Sequence, residues 1–161
     1  EDIQELDAAL SNYASVISKD LHTDVAEITG AGASGGLGAG LMGFFDARLR
    51  LGADIVMESI DLQGHLKHAD LVIVGEGQFD RSTVFNKAPI AVARRAKTLG
   101  IPVIGIAGSL GAGFTEVHNH GIDAVFSLVN RPMSLKAAME DTKRLVVIAT
   151  EEACRAINLN V

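Results

Sequence analysis

Residues 71–108 read LVIVGEGQFDRSTVFNKAPIAVARRAKTLGIPVIGIAG. The stretch opens on one apolar run, LVIV, and closes on another, IPVIGIAG, both continuous and rich in β-branched residues. Strands buried on both faces have this composition, which marks a parallel sheet covered by helices. Between the runs, APIAVARRAKTLG reads as a helix, with Pro89 suited to its first turn and Gly100 to its stop. A third and less pure run, DAVFSL, follows GFTEVHNHG, which is a short helix at best. SLKAAMEDTKRLVVIATEEACRAI then predicts one long terminal helix, with Ser134 as N-cap. Residues 71–161 therefore read as strand–helix three times over, an α/β half-domain. Three strands are few for a free-standing domain of this type.

Upstream of Leu71 the pattern is helical. Ile3, Leu6, Leu10, Tyr13 and Ile17 alternate at spacings of three and four, which predicts an amphipathic helix over residues 1–20. VAEITGAGASGGLGAGLMGFFDARLRLGADI follows; it predicts a loop from Gly30 to Gly36 feeding a helix that ends near Asp46. A short helix is expected over Ile55–Ile60, then a polar helical turn at LQGHLKHAD.

Composition narrows the function classes. The chain has 161 residues, about one domain's worth, with 48% hydrophobic and 21% charged residues, ordinary for a globular protein. Aromatics are only 4%, so the core must be built from Ala, Val, Ile and Leu. A net charge of −6 and the lack of a basic stripe argue against a general nucleic-acid binder. No apolar run reaches membrane-spanning length, and no signal peptide opens the chain, whose first residue is Glu1 rather than Met. The single cysteine, Cys154, allows no intrachain disulfide and fits a reducing cytoplasm. It is expected to be a buried small apolar residue on the terminal helix.

In open α/β sheets, ligands bind beyond the carboxyl ends of the strands. GEGQFD, GSLGAG and VNRP are expected there, and the first carries most of the charge. Lys87 lies just ahead of a helix start, where a cation becomes favourable once an anion such as phosphate or carboxylate is bound. Glu76 and Asp80 are hard oxygen donors that could hold Mg²⁺ through water, and Asp80 could instead take a proton from a substrate hydroxyl. The bland alternative is a solvated loop with structural Lys87–Asp80 or Arg81–Glu76 pairs. GAGASGG matches G-x-G-x-x-G at Gly30, Gly32 and Gly35, but the preceding VAEIT is a poor buried strand and no acidic partner follows, so a dinucleotide site is disfavoured. Backbone N–H groups and Ser34 there could cradle a phosphate or carboxylate, or the small residues could serve close helix packing. No G-x-x-x-x-G-K-[ST] occurs. His65 and His68 with Asp70 could form a metal corner, although an exposed polar turn is the simpler reading.

GAGASGGLGAGL, ADLVIVGEGQFDRSTVFNKAPIAVARRAK, IPVIGIAGSLG and GIDAVFSL together resemble the bacterial glycerate kinases, type 1. That family carries a G-A-G-A-x-G-G-x-G loop, a G-E-G-x-x-D-x-x-T segment and a G-K-A-P box, and the resemblance covers nearly the whole chain in order. It implies phosphorylation of a D-glycerate hydroxyl by ATP with Mg²⁺, in a cleft between two unequal α/β domains, one of them flavodoxin-like. Residues 1–70 would belong to the larger inserted domain and residues 71–161 would complete the flavodoxin-like one. By motif, Gly75, Glu76, Gly77, Asp80 and Thr83 fall on the G-E-G segment, and Lys87, Ala88 and Pro89 on the K-A-P box. Gly30, Gly32, Ser34, Gly35 and Gly36 fall on the glycine loop. Asp80 and Lys87 are thus the expected catalytic groups and Glu76 and Asp80 the metal donors; the glycines, Ser34 and Thr83 would bind cofactor.

The chain departs from the family pattern twice. Family members are more than twice this length, and their D-S-F-K and G-G-S-A-T-x-D-G-G segments are not present, so a fragment lacking the N-terminal half is expected, inactive by itself. Asn86 replaces the Gly before Lys87, although Asn tolerates positive φ better than most residues. The alternative function is a non-catalytic fragment that keeps a small-anion or nucleotide site. An unpaired sheet edge would make such a fragment associate with itself, as a homo-oligomer or an aggregate.

Overall fold

The computed structural model describes residues 2–85 and 87–158. Asn86 lies outside the described residues, and so does its expected role. The chain divides into two compact units, one ending at Leu51 and the other starting at Gly52. This division falls ahead of Asp70, where the sequence places the change of domain.

In the first unit, α1 (Asp2–Leu21) and α2 (Ala33–Phe45) pack together around Ile17, Val25, Ala31 and Ala39. The apolar stripe of α1 is only partly used: Ile17 is buried, whereas Ile3 and Leu6 are exposed. No strand forms over VAEIT. Ser34, Gly35 and Gly36 all have left-handed backbone, with φ of 53°, 69° and 85°, so regular helix begins after them, as the predicted loop requires. Glycines let the two helices approach. A Cβ on Gly36 would stand 2.9 Å from the Tyr13 ring, and one on Gly43 would stand 3.0 Å from Ile17.

The second unit begins with two short helices, α3 (Gly52–Ser59) and α4 (Leu62–Leu66). The sheet is β1 (Val72–Phe79), β2 (Val103–Leu110) and β3 (Ala124–Ser127), in that order and all parallel. Helix α5 (Ala88–Thr98) joins β1 to β2. A 3₁₀ helix, Phe114–His120, joins β2 to β3. Helix α6 (Leu135–Glu140) and helix α7 (Thr142–Ile157) close the unit.

The continuous apolar pattern of β2 follows from its two covered faces. Val103 and Ala107 pack with Ile90, Ala93 and Ala96 of α5. Ile104 and Ile106, turned the other way, pack with Ala149 and Ala153 of α7. Gly100, at φ 73°, ends α5 and lets Ile101 N–H reach back to Ala96 O.

Three local expectations are corrected. Gly75, Glu76 and Gly77 lie inside β1 rather than on a loop. Parallel pairing runs on through Glu76↔Ala107, Gln78↔Ser109 and Phe79↔Leu110, so hydrogen bonding carries the strand past its apolar start. The terminal helix is two helices: Ser134 caps α6 as expected, but the Thr142 hydroxyl then donates to Ala138 O and Met139 O, and α7 starts afresh. Cys154 is exposed, not buried. Its neighbour Ala153 fills the buried place, and one residue turns a helix by about 100°.

Candidate functional site

The site is built where β1 ends and α5 begins. Glu76 follows the buried Val74 by two residues and so shares its face of the strand, the face that α5 covers. Lys87 is the N-cap residue of α5. Its Nζ lies 2.8 Å from Glu76 Oε1, with the side chains 37% and 22% exposed. The ion pair is thus Lys87 with Glu76, neither of the two combinations expected from sequence. The hydrogen bond from Lys87 to Glu76 holds the ammonium's pKa above its ordinary value, against the opposing effect of burial. The other oxygen, Glu76 Oε2, is buried and has no hydrogen-bond partner among the described residues.

Between these residues the chain turns through a 3₁₀ helix, Arg81–Val84, with Asp80 as its N-cap. Asp80 Oδ1 accepts from the Ser82 hydroxyl at 2.6 Å and from Ser82 N–H at 2.7 Å. In return, Asp80 N–H donates to Thr83 Oγ1 at 3.1 Å, and Thr83 is fully buried. The Asp80 side chain also accepts from Thr83 N–H, and this reciprocal pairing of Asp80 with Thr83 is a capping box. The Ser82 hydroxyl, and then its N–H, hold the Asp80 carboxyl below the usual carboxylate range, with a further contribution from the charge of Lys87. Ser82 was not singled out by sequence reasoning, yet D-R-S-T carries its signal: an Asp with Ser and Thr two and three residues later is an N-terminal cap pattern.

The remaining expected residues divide between the units. Gly75 and Gly77 lie in β1 and Thr83 beside Asp80, in the second unit. Gly30, Gly32, Ser34, Gly35 and Gly36 lie in the first. Of these, Gly36 is pressed against Tyr13, whereas a Cβ on Gly35 would meet nothing within 4 Å. Gly108 of β2 was also missed: a Cβ there would stand 2.5 Å from Gly77 O, so the two strands approach through bare backbone. Above the strand ends, Gly77, Gly108 and Ser109 floor a cleft of about 420 Å³ walled by Leu128, Leu135 and Met139.

Mg²⁺ keeps several waters and needs only one or two carboxylates plus substrate oxygens. Asp80 and Glu76 are two carboxylates close in sequence at this edge, a donor set that fits such an ion held through water. Among the described residues no group of three or more His, Cys, Asp or Glu gathers as a ready-made metal cage, and the corner suggested by His65 and His68 does not form one.

The fold and site define an α/β protein whose charged groups collect at the carboxyl ends of parallel strands, where such folds take ligands. The sequence model of the glycerate kinase family matches residues 1–158. A glycerate kinase of Halalkalibacterium halodurans is 50% identical over 155 residues, covering 96% of this chain and 40% of that protein. Glycerate 2-kinase of Escherichia coli is 47% identical over 154 residues, covering 96% and 39%. A crystal structure assigned as glycerate kinase 2 of Salmonella typhimurium aligns with a TM-score of 0.67 at 44% identity, covering 96% of this chain and 41% of that one. The chain belongs to the glycerate kinase family. It spans about 40% of the length of the curated relatives it matches.

Proposed function

We propose that this chain is part of an enzyme that transfers a phosphoryl group from ATP, with Mg²⁺, to a hydroxyl of D-glycerate. The observation that carries the reading is that two motif segments of the family, G-E-G-x-x-D and K-A-P, meet as the Glu76–Lys87 ion pair at the sheet's ligand edge. Phosphoryl transfer asks a protein mainly for positioning and charge neutralisation. Lys87 stands where it can neutralise phosphate or carboxylate charge. Asp80, with Glu76 nearby in sequence, would hold Mg²⁺ through water, and that ion would offset charge on the transferring phosphate. Asp80 would also be the group to take a substrate proton. Gly75, Gly77 and Thr83 shape this edge, and Gly30, Gly32, Ser34, Gly35 and Gly36 of the first unit would cradle an anionic group of the nucleotide. Residues 71–161 would complete a flavodoxin-like domain and residues 1–70 belong to the larger one. No described helix is long and apolar enough to cross a membrane, and the reaction proposed belongs in the cytoplasm, where its ATP is found.

The test is D-glycerate-dependent ADP production with Mg-ATP, by the whole gene product and by the 161-residue chain. Activity in the whole product above a blank without glycerate supports the reading; its absence there removes it. A second reading, a non-catalytic piece that only binds an anion, is favoured by the 40% coverage of the relatives. An inactive chain beside an active whole product would support it for the chain.

A further inference from the structure

Glu76 and Asp80 are not equivalent in the structure, although the family motif treats both as acids of one segment. The Asp80 carboxylate is occupied in holding the turn Arg81–Val84 through Ser82, and that turn leads the chain towards Lys87. Among the described residues the Glu76 carboxylate has one polar partner, Lys87 at Oε1, and its Oε2 is buried with none. A buried carboxylate oxygen without a donor is costly and calls for an explanation.

A bound ligand that supplies a donor gives one, and the neighbour on the same carboxylate selects its kind. A divalent cation at Oε2 would face the Lys87 ammonium across a single carboxylate group, like charge against like. A neutral hydroxyl meets no such repulsion and makes a charge-assisted hydrogen bond. Lys87, which is 37% exposed, can at the same time pair with an anionic group on the same small molecule. A hydroxyl and a carboxylate on neighbouring carbons satisfy both residues. Access needs only a turn of the carboxylate, because the Glu76 side chain is 22% exposed and the terminal torsion of a glutamate is soft.

We propose that Glu76 Oε2 accepts the hydroxyl of a small hydroxy acid whose carboxylate pairs with Lys87, and that Asp80 is a positioning residue for this pair and the one left to carry a hydrated cation. This rests on the phosphoryl-transfer reading for the identity of the acid, and assigns this loop to the acceptor substrate rather than to the nucleotide.

The experiment is a binding titration of the 161-residue chain, followed by amide NMR, with D-glycerate and with propionate, which lacks the hydroxyls. The wild type should bind glycerate roughly tenfold or more tightly than propionate, the worth of a hydrogen bond to a charged group. Glu76→Gln should erase that preference. Asp80→Asn should weaken both acids by similar factors and keep the preference. Equal binding of the two acids by the wild type, or no binding of either, overturns the proposal whether or not the variants fold. A preference that survives Glu76→Gln overturns it as well, as does one lost in Asp80→Asn alone. Titration with MgCl₂ forms a further arm: shifts at Glu76 with Mg²⁺ alone, abolished by Glu76→Gln, overturn the choice of hydroxyl over cation. The readout is binding, so an inactive gene product would remove the kinase reading and leave this result standing.

Discussion

At the scale of the residue, charge and close approach give different predictions. Lys87 carries the positive charge paired with Glu76, and a charge that holds a substrate group in its reacting pose is commonly worth about a hundredfold in turnover. Lys87→Ala in the whole gene product should lower glycerate-dependent kcat by roughly that factor; a kcat equal to wild type would remove Lys87 from the chemistry. Gly108 makes a stability prediction. Its missing Cβ leaves room for Gly77 O, which a methyl would meet at 2.5 Å, whereas a methyl on Gly75 would sit 3.6 Å from Ile106 O. Gly108→Ala should therefore cost about 1–3 kcal/mol in urea unfolding, and Gly75→Ala should stay within about 0.5 kcal/mol of wild type. The motif residues Glu76, Asp80 and Lys87 could be picked out from residue type and position alone. Their partners could not. Which acid Lys87 takes depends on which face of β1 each acid occupies, and that depends on a strand whose length the apolar run LVIV does not show.

At the scale of the element, Asp123 ties three pieces together at the amino end of the sheet. Its carboxylate accepts from Lys97 of α5 at 2.9 Å and from Val103 N–H at the start of β2 at 2.8 Å, and its own N–H returns to Val103 O. Burial alone would raise its pKa, but Lys97, the Val103 N–H and His118 outweigh burial and hold it below the ordinary 3.8. A depressed carboxylate contributes stability that is present above its unfolded pKa and lost as pH falls through the folded value. Asp123→Asn should therefore be less stable than wild type at neutral pH, with the gap closing below pH 3.8; parallel curves of denaturation midpoint against pH would refute this. Most elements were legible because their signals are local: Pro89 and Gly100 bound α5, and β-branched runs mark β1 and β2. The continuation of β1 through GEGQF was not, since glycine and glutamate carry no strand signal and the pairing partner supplies the hydrogen bonds. The division between α6 and α7 was missed for a similar reason. Thr142 is unremarkable in a helical pattern until its hydroxyl is seen to donate to two carbonyls of the preceding helix.

At the scale of the whole molecule, the sheet has two unpaired edges among the described residues, β1 and β3. Among the described residues β1 pairs only with β2, and Ile73 is 45% exposed. Edges of this length with an apolar side chain invite another strand. The chain should associate in sedimentation runs over the micromolar range, and Ile73→Lys should shift it towards monomer, since an edge lysine opposes strand addition. A wild-type chain that stays monomeric throughout would count against an accessible edge. The shortage of strands in the sequence already points to open edges, but that β1 is one of them depends on strand order, which periodicity does not encode. That order, β1-β2-β3, follows the order of the chain itself. A ribosome releasing this polypeptide therefore delivers each strand beside a neighbour that has already emerged. β1 and β2 can pair, with α5 folded against them, before β3 has emerged, so this half of the sheet needs no template from residues still inside the tunnel.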